Sequence, residues 1–380
     1  MSDRVQSMKI LLTAFRFMMC VGLLLSAGTI LAEEPVYIAL SVPITGNYAE
    51  YGSNIKRAVE LAINEANSKG GIHGRPIELV IGDSKGTPKE SATLAQKFVS
   101  DSRIVAQIGD FTSTCSLAAQ PIYQRAKMVQ LTPTSTHPDF APGSPYSFSI
   151  AGKQTEEGPF MARFAINTLG KKKIAFLYVN NDWGIAMRDH FIRESESLGA
   201  EIIAQEAYFD GTTDFTAILT KFQSLNPDLL YLTSMYNDGA LISNQRQKLG
   251  WDDVTVMGAG SLYSPKFIDL GGKAVEGVFT SCVFFPGEGR PEVQQFVSGF
   301  EKQYDQTPNV FAAVAYDSAR LVIAAIRQAG TDRQAICKAL ASVKDFPGVT
   351  GKITFSEVGD VVKEYRKMVV KDGKFQLYQE

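Results

Sequence analysis

Four cysteines, three histidines and two tryptophans in 380 residues leave little material for several whole classes of chemistry. Cys20, Cys115, Cys282 and Cys337 form no C-x-x-C pair and are too few for a disulfide-stapled scaffold. His73, His137 and His190 stand singly, so neither a metal centre nor a cofactor is expected. Charge of neither sign accumulates: 38 Lys+Arg meet 40 Asp+Glu, which argues against a nucleic-acid partner and against a charged tail. No uninterrupted apolar run reaches the roughly 20 residues of a membrane span. The phosphate-cradling G-x-x-x-x-G-K-[ST] and G-x-G-x-x-G loops are missing, as are H-E-x-x-H and G-x-S-x-G. The chain reads as non-enzymatic, with a small molecule or another protein as its partner.

What is present is an ordinary globular composition, 45% apolar and 21% charged, at a length that favours two α/β domains. The first residues differ. Arg4, Lys9 and Arg16 precede the apolar run 17–25, and small residues lead to Ala32 before Glu33-Glu34. That layout predicts a cleaved signal peptide over residues 1–32 and a periplasmic mature chain. Cys20 follows Phe17-Met18-Met19, which lacks the small residues that lipid modification prefers. Removal of the leader leaves three cysteines, so at least one thiol is expected to be free.

After Glu34 short β-rich runs alternate with helical patterns, the grammar of parallel sheets covered on both faces. Strands are expected at Val36–Val42 and 77–81, and helices at 53–69 and Pro88–Ser100. In the first helix Ile55, Ala58, Val59, Ala62, Ile63 and Ala66 make one apolar face, ended by Gly70-Gly71. Thr87-Pro88-Lys89-Glu90 is a capping box with proline at the first helical position. A second run begins near Thr155, with a helix to Leu169, strands Lys173–Val179, 201–203, 228–234 and 254–257, and helices 184–198, 214–224 and 239–249 between them. A strand at 278–285 is followed by helices Pro291–Tyr304, 310–328 and 333–343, which have too few strands of their own and must pack on an existing sheet. The simplest solution has three crossings between two doubly wound lobes. Residues 33–152 plus 280–350 then form the N-terminal lobe, and 153–279 plus 351–380 the C-terminal lobe, with returns near Thr280 and at 349–352.

Open α/β sheets bind ligands where strands end and helices begin. Five loops qualify. Residues 45–52 carry glycines and Tyr51. Residues 109–116 bring Asp110, Thr112, Ser113, Thr114 and Cys115 to a helix start, where unpaired backbone donors and the helix dipole favour a carboxylate. Residues 131–138 repeat the hydroxyls with Thr134, Ser135 and Thr136. Residues 179–184 place Asn181, Asp182 and Trp183 at a turn of the second unit, and 233–239 place Met235, Tyr236 and Asp238 one strand later.

Tyr51-Gly52, the stretch Glu60-Leu61-Ala62-Ile63-Asn64-Glu65-Ala66-Asn67-Ser68-Lys69-Gly70-Gly71-Ile72-His73-Gly74-Arg75-Pro76-Ile77, Leu131-Thr132-Pro133 and Tyr316-Asp317 together resemble the branched-chain amino-acid periplasmic binding proteins of ABC transporters. The similarity runs from Val36 to Tyr378. It implies a type I periplasmic-binding fold, α/β, with two lobes, three hinge crossings and a ligand in the cleft. It further implies that Ser113, Thr134 and Thr136 grip the ligand's backbone groups, with Tyr51 beside it. The second lobe's aromatics fall on Trp183 and on Met235 or Tyr236. A carboxylate that pairs the ligand's ammonium in branched-chain binders falls at or near Gly260, where no acid stands. Either Asp110, Asp182 or Asp238 serves instead, or the ligand is an amide, urea or aromatic carboxylate without an ammonium. The family's first-lobe disulfide is also missing, since Gly86 and Thr112 hold those places.

The resulting expectation is a monomeric receptor that closes over a small molecule and hands it to an ABC permease. The alternative is a ligand-sensing receptor of the same fold.

Overall fold

The computed structural model describes residues 34–379. The expected signal peptide lies outside the described residues. Strands β1 (Val36–Val42), β2 (Ile77–Asp83), β3 (Ile104–Gly109), β4 (Val129–Thr132) and β5 (Ser147–Ser149) form a sheet in the order β2-β1-β3-β4-β5. Every pair in it is parallel. Every residue of β3 and β4 is buried, because helices cover both faces and leave no polar side to alternate with.

Helix α1 (Ala49–Ser68) buries the apolar face read from its spacing but starts a turn before residue 53. The cause is tertiary. Tyr51 is wholly buried, and an added Cβ at Gly52 would lie 1.8 Å from the Pro43 carbonyl oxygen, so the chain packs too closely there for any larger residue. Helix α2 (Pro88–Ser100) opens as its capping box predicts, with Thr87 Oγ1 accepting from the Glu90 N–H at 3.4 Å. Helix α3 (Ser113–Arg125) completes the set, capped by Thr112.

The second sheet is built from β6 (Lys173–Val179), β7 (Glu201–Tyr208), β8 (Leu229–Thr233), β9 (Thr255–Gly258), β10 (Phe279–Cys282), β13 (Arg366–Lys371) and β14 (Lys374–Leu377), in the order β14-β13-β10-β9-β8-β6-β7. Its first five strands are parallel and the last two antiparallel. Strand β7 runs five residues past the 201–203 read from sequence. It is an edge strand with mostly half-exposed residues, so its Gln205 and Glu206 look like loop. Helices α4 (Gln154–Arg163), α5 (Asp182–Ser197), α6 (Thr216–Ser224), α7 (Tyr236–Lys248) and α8 (Pro265–Gly271) flank this sheet. Helix α4 runs into a π-helical turn, Phe164–Thr168.

Helix α9 (Pro291–Tyr304), α10 (Val310–Ala329) and α11 (Arg333–Ala341) return to the first sheet, with α10 lying along α1. A two-stranded ribbon, β11 (Phe346–Gly348) and β12 (Gly351–Ile353), follows. The chain passes between the sheets three times. The second passage starts after Cys282 rather than at Thr280, because β10 pairs with β9 and β13 in the second sheet. The third comes after Gly359 rather than at 349–352, because Phe355 packs on Phe148 and the Gly359 carbonyl accepts from the Ser149 N–H at 2.9 Å.

Among the described residues no helix is long and apolar enough to cross a membrane. Cys115, Cys282 and Cys337 are all free thiols.

Candidate functional site

A cavity partly open to solvent lies where the ends of both sheets face each other. Its first wall is Phe111, Thr112 and Ser113 at the start of α3, Pro133, Thr134 and Thr136 after β4, and Val310, Phe311 and Val314 on α10. Its second wall is Glu157 of α4, Asn181 and Trp183 at the start of α5, Met235 before α7, Gly260 and Ser261 after β9, and Ser281 and Cys282 of β10. The site thus sits at strand ends and helix starts, as the topology requires.

The polar groups of the first wall are arranged unevenly. Thr112 Oγ1 is committed to the Cys115 N–H (3.2 Å), and the Thr134 hydroxyl donates to the Phe111 carbonyl (2.6 Å). Ser113 Oγ and Thr136 Oγ1 are buried, and neither has a hydrogen-bond partner among the described residues. Such orphans are costly unless something else satisfies them. Ser135 is turned inward, its hydroxyl donating to Ser116 Oγ at 2.6 Å, and does not line the cavity.

Tyr51 stands behind the wall rather than in it. Its ring stacks on Phe111 with centroids 4.5 Å apart and meets the edge of Phe311 at 4.7 Å. Its hydroxyl accepts from the Tyr236 N–H at 2.8 Å, which ties α1 to α7 across the gap between sheets. The ring of Tyr236 packs on Tyr51 and not on the cavity. A second tie joins the Tyr48 hydroxyl to Asp210 Oδ1 at 2.5 Å.

None of the three acids singled out in the sequence lines the cavity. Asp110 is buried inside the first unit, accepting from Ser41 Oγ (2.8 Å), Ser84 Oγ (3.0 Å), Ser91 Oγ and the Phe111 N–H (2.6 Å). Asp182 is exposed on the first turn of α5. Asp238 accepts from the Tyr208 hydroxyl at 3.1 Å, and burial, with the Asp210 charge nearby, pushes its carboxyl up to about 6. The acid that does line the cavity is Glu157. Its Oε1 accepts from the Gly260 N–H at 2.7 Å and from Ser281 Oγ at 2.8 Å. Burial raises its carboxyl above the ordinary range, while those two donors oppose the shift.

Sequence reasoning placed residue 157 in a helix from near Thr155 to Leu169 and did not single it out. Its spacing held the signal: Glu157, Met161, Phe164 and Ala165 fall at i, i+4, i+7 and i+8, so the carboxylate sits on the apolar stripe. Val310, Phe311, Val314 and Tyr365 were also missed. Nothing local marks them, since they reach the site through the second and third passages of the chain.

Nucleophilic chemistry has little support here. Burial pushes the Cys115 thiol up to about 12, with the Asp110 charge adding to it, and Cys282 likewise to about 12. A thiol held neutral is a poor nucleophile. No cluster of three or more His, Cys, Asp or Glu that could hold a metal occurs among the described residues.

Residues 35–374 match the model of a family described as periplasmic binding protein. The chain belongs to the periplasmic binding protein family. This periplasmic binding protein is 28% identical over 366 residues to the Leu/Ile/Val-binding protein homolog 2 of Brucella abortus, covering 94% of this chain and 96% of that protein. Among solved structures it resembles the branched-chain amino acid transporter substrate-binding protein LivJ of Streptococcus pneumoniae in complex with isoleucine, with a TM-score of 0.85 and 28% identity over 90% of this chain and 98% of that one. A solute-binding protein of an R. palustris ABC transporter in complex with benzoate has a TM-score of 0.84 at 22% identity, covering 90% of this chain and 95% of that one, a likeness of fold alone. The fold is the type I periplasmic-binding fold that the sequence resemblance implied.

Proposed function

We propose that this protein captures an amino acid with an apolar side chain in the cavity between its sheets and delivers it, unaltered, to the permease of an ABC transporter. The observation that carries the reading is the pair of buried, unpartnered hydroxyls, Ser113 Oγ and Thr136 Oγ1, on one wall of a cavity otherwise rich in Phe111, Trp183, Met235, Phe311 and Val314. Hydroxyls beside a helix start suit a carboxylate, and the rings and aliphatic groups suit a hydrocarbon side chain. The likeness to Leu/Ile/Val-binding proteins supports the same ligand class. Export by the signal peptide at residues 1–32 would place the mature chain, as a monomer, in the periplasm.

The lobes in this reading meet at 150–153, 283–290 and 360–365, and closing them over the ligand shifts the population of the closed form by whatever contacts the second lobe adds. Two measurements test it. Ser113→Ala and Thr136→Ala should each weaken ligand binding by about 1–3 kcal/mol, the loss of a hydrogen bond to a charged group. Calorimetric affinities unchanged in both variants would remove the carboxylate from this wall. Tyr48→Phe should remove the tie to Asp210 and, since Asp210 is exposed, cost only about 1 kcal/mol of closed-form stability, seen as a roughly fivefold faster ligand release. An unaltered off-rate would mean that this tie plays no part in closure.

A further inference from the structure

The absence of an acid at Gly260 and the presence of one at Glu157 are two halves of a single arrangement. An ideal Cβ at Gly260 would lie 3.0 Å from Glu157 Oε1 and 3.0 Å from Ser281 Oγ. The Glu157 carboxylate therefore occupies the space where a side chain at residue 260 would begin. It arrives from another element, the first turn of α4, and is fixed by the Gly260 N–H and Ser281 Oγ. Both bonds fall on Oε1, and among the described residues Oε2 has no hydrogen-bond partner.

The cavity contains nothing else to neutralise that group. No Lys, Arg or His lines it, and its other ionisable neighbours, Cys282 and Tyr365, are held neutral by burial. The Gly260 N–H can only donate, so Oε1 is held as an acceptor, and this bond opposes but does not outweigh the burial that raises the group. A buried carboxylate without a cation is costly, and a ligand that brings a cation relieves the cost. A ligand whose only charge is a carboxylate worsens it.

We infer that Glu157 is the group that binds the ligand's ammonium, so that the site selects α-amino acids with apolar side chains over carboxylates of the same skeleton that lack the amine. This rests on the reading that the cavity captures a carboxylate-bearing solute at Ser113 and Thr136. In it the acid comes from the first turn of α4, and the glycine at 260 is what makes room for it. Glu157 is then a specificity-determining residue, and its effect depends on whether the ligand carries an amine.

The test is calorimetric titration of the mature chain with L-leucine, 4-methylpentanoate, L-phenylalanine and 3-phenylpropionate, two amino acids each matched to its amine-free analogue. The wild type should favour the amino acid of at least one pair by at least about a hundredfold. Glu157→Gln should lose at least about a hundredfold for that amino acid and stay within about threefold for the amine-free acid. Glu157→Asp, which keeps the charge, should recover part of the loss, whereas a merely structural role would move both ligands alike. Preference of the wild type for the amine-free acid would overturn the inference without needing any variant to fold. So would an amino-acid affinity of folded Glu157→Gln within about threefold of wild type. In either case a loss of binding in Ser113→Ala would leave the proposed capture site standing. No heat with any of the four compounds would overturn both.

Discussion

Asp110→Ala should lower the free energy of unfolding by about 3–5 kcal/mol and leave ligand affinity of the folded protein within about threefold. The carboxylate gathers Ser41, Ser84 and Ser91, each buried, and the Phe111 N–H around one point between β1, the β2–α2 turn, α2 and the end of β3. Removing it strands three buried hydroxyls and a backbone donor, and each such group costs free energy when left without a partner. Burial itself raises the Asp110 carboxyl, and the hydrogen bonds oppose that shift, so the network is satisfied only as a whole. Chemical denaturation of wild type and variant, followed by calorimetry on the folded fraction, separates the two effects. Unchanged stability with collapsed affinity would instead return Asp110 to the binding site.

Ligand affinity should also fall on acidification, by about tenfold per pH unit once the pH drops below the raised value of the Glu157 carboxyl in the free protein. The sign follows from which state holds the proton. Burial raises this group in the folded, unliganded protein, so its contribution to stability is full below the unfolded-state value and is lost as pH rises through the folded one. Above the free-protein value the empty cavity thus holds an ionised carboxylate at a cost. An ammonium pairs with the ionised form and draws the value down in the complex, so binding becomes pH-independent above the free-protein value and releases a proton below it. The groups that face Glu157 are the Gly260 N–H, Ser281 Oγ and the phenols of Tyr231 and Tyr365, both of which burial keeps neutral. Two pH units should therefore change affinity by about a hundredfold, and Glu157→Gln should be nearly flat over the same window. Titrations in buffers of different ionisation enthalpy count the proton. A wild-type profile as flat as that of the variant would mean that no cation meets this carboxylate.

The two loops of the first unit were legible because their chemistry is local. Ser113 and Thr136 follow strands and sit beside a helix start, and a hydroxyl in that setting faces the cavity at the strand ends for reasons of topology. Trp183 was legible in the same way. Asp110, in the first of these loops, and Asp238, in the loop at 233–239, turn away from the cavity, because a carboxylate within reach of serine hydroxyls or a tyrosine phenol satisfies itself inside its own unit. Tyr51 was read as a neighbour of the ligand and proves to be a support for Phe111 and Phe311, a difference of one packing layer that no periodicity records.

By itself the sequence determined the α/β alternation, the helix faces, the capping box at Thr87 and the family, because each depends on residues within about a dozen positions of one another or on a contiguous motif. The tertiary structure alone decided where the chain recrosses, which acid reaches the cavity and what fills the place at Gly260. Those outcomes depend on residues more than a hundred positions apart, Glu157 meeting Gly260 and Ser281, and Tyr51 meeting Tyr236. Such pairs form only when two separately wound sheets bring their strand ends together, and the strength of a buried charge or hydroxyl is set by that meeting and not by its neighbours in sequence.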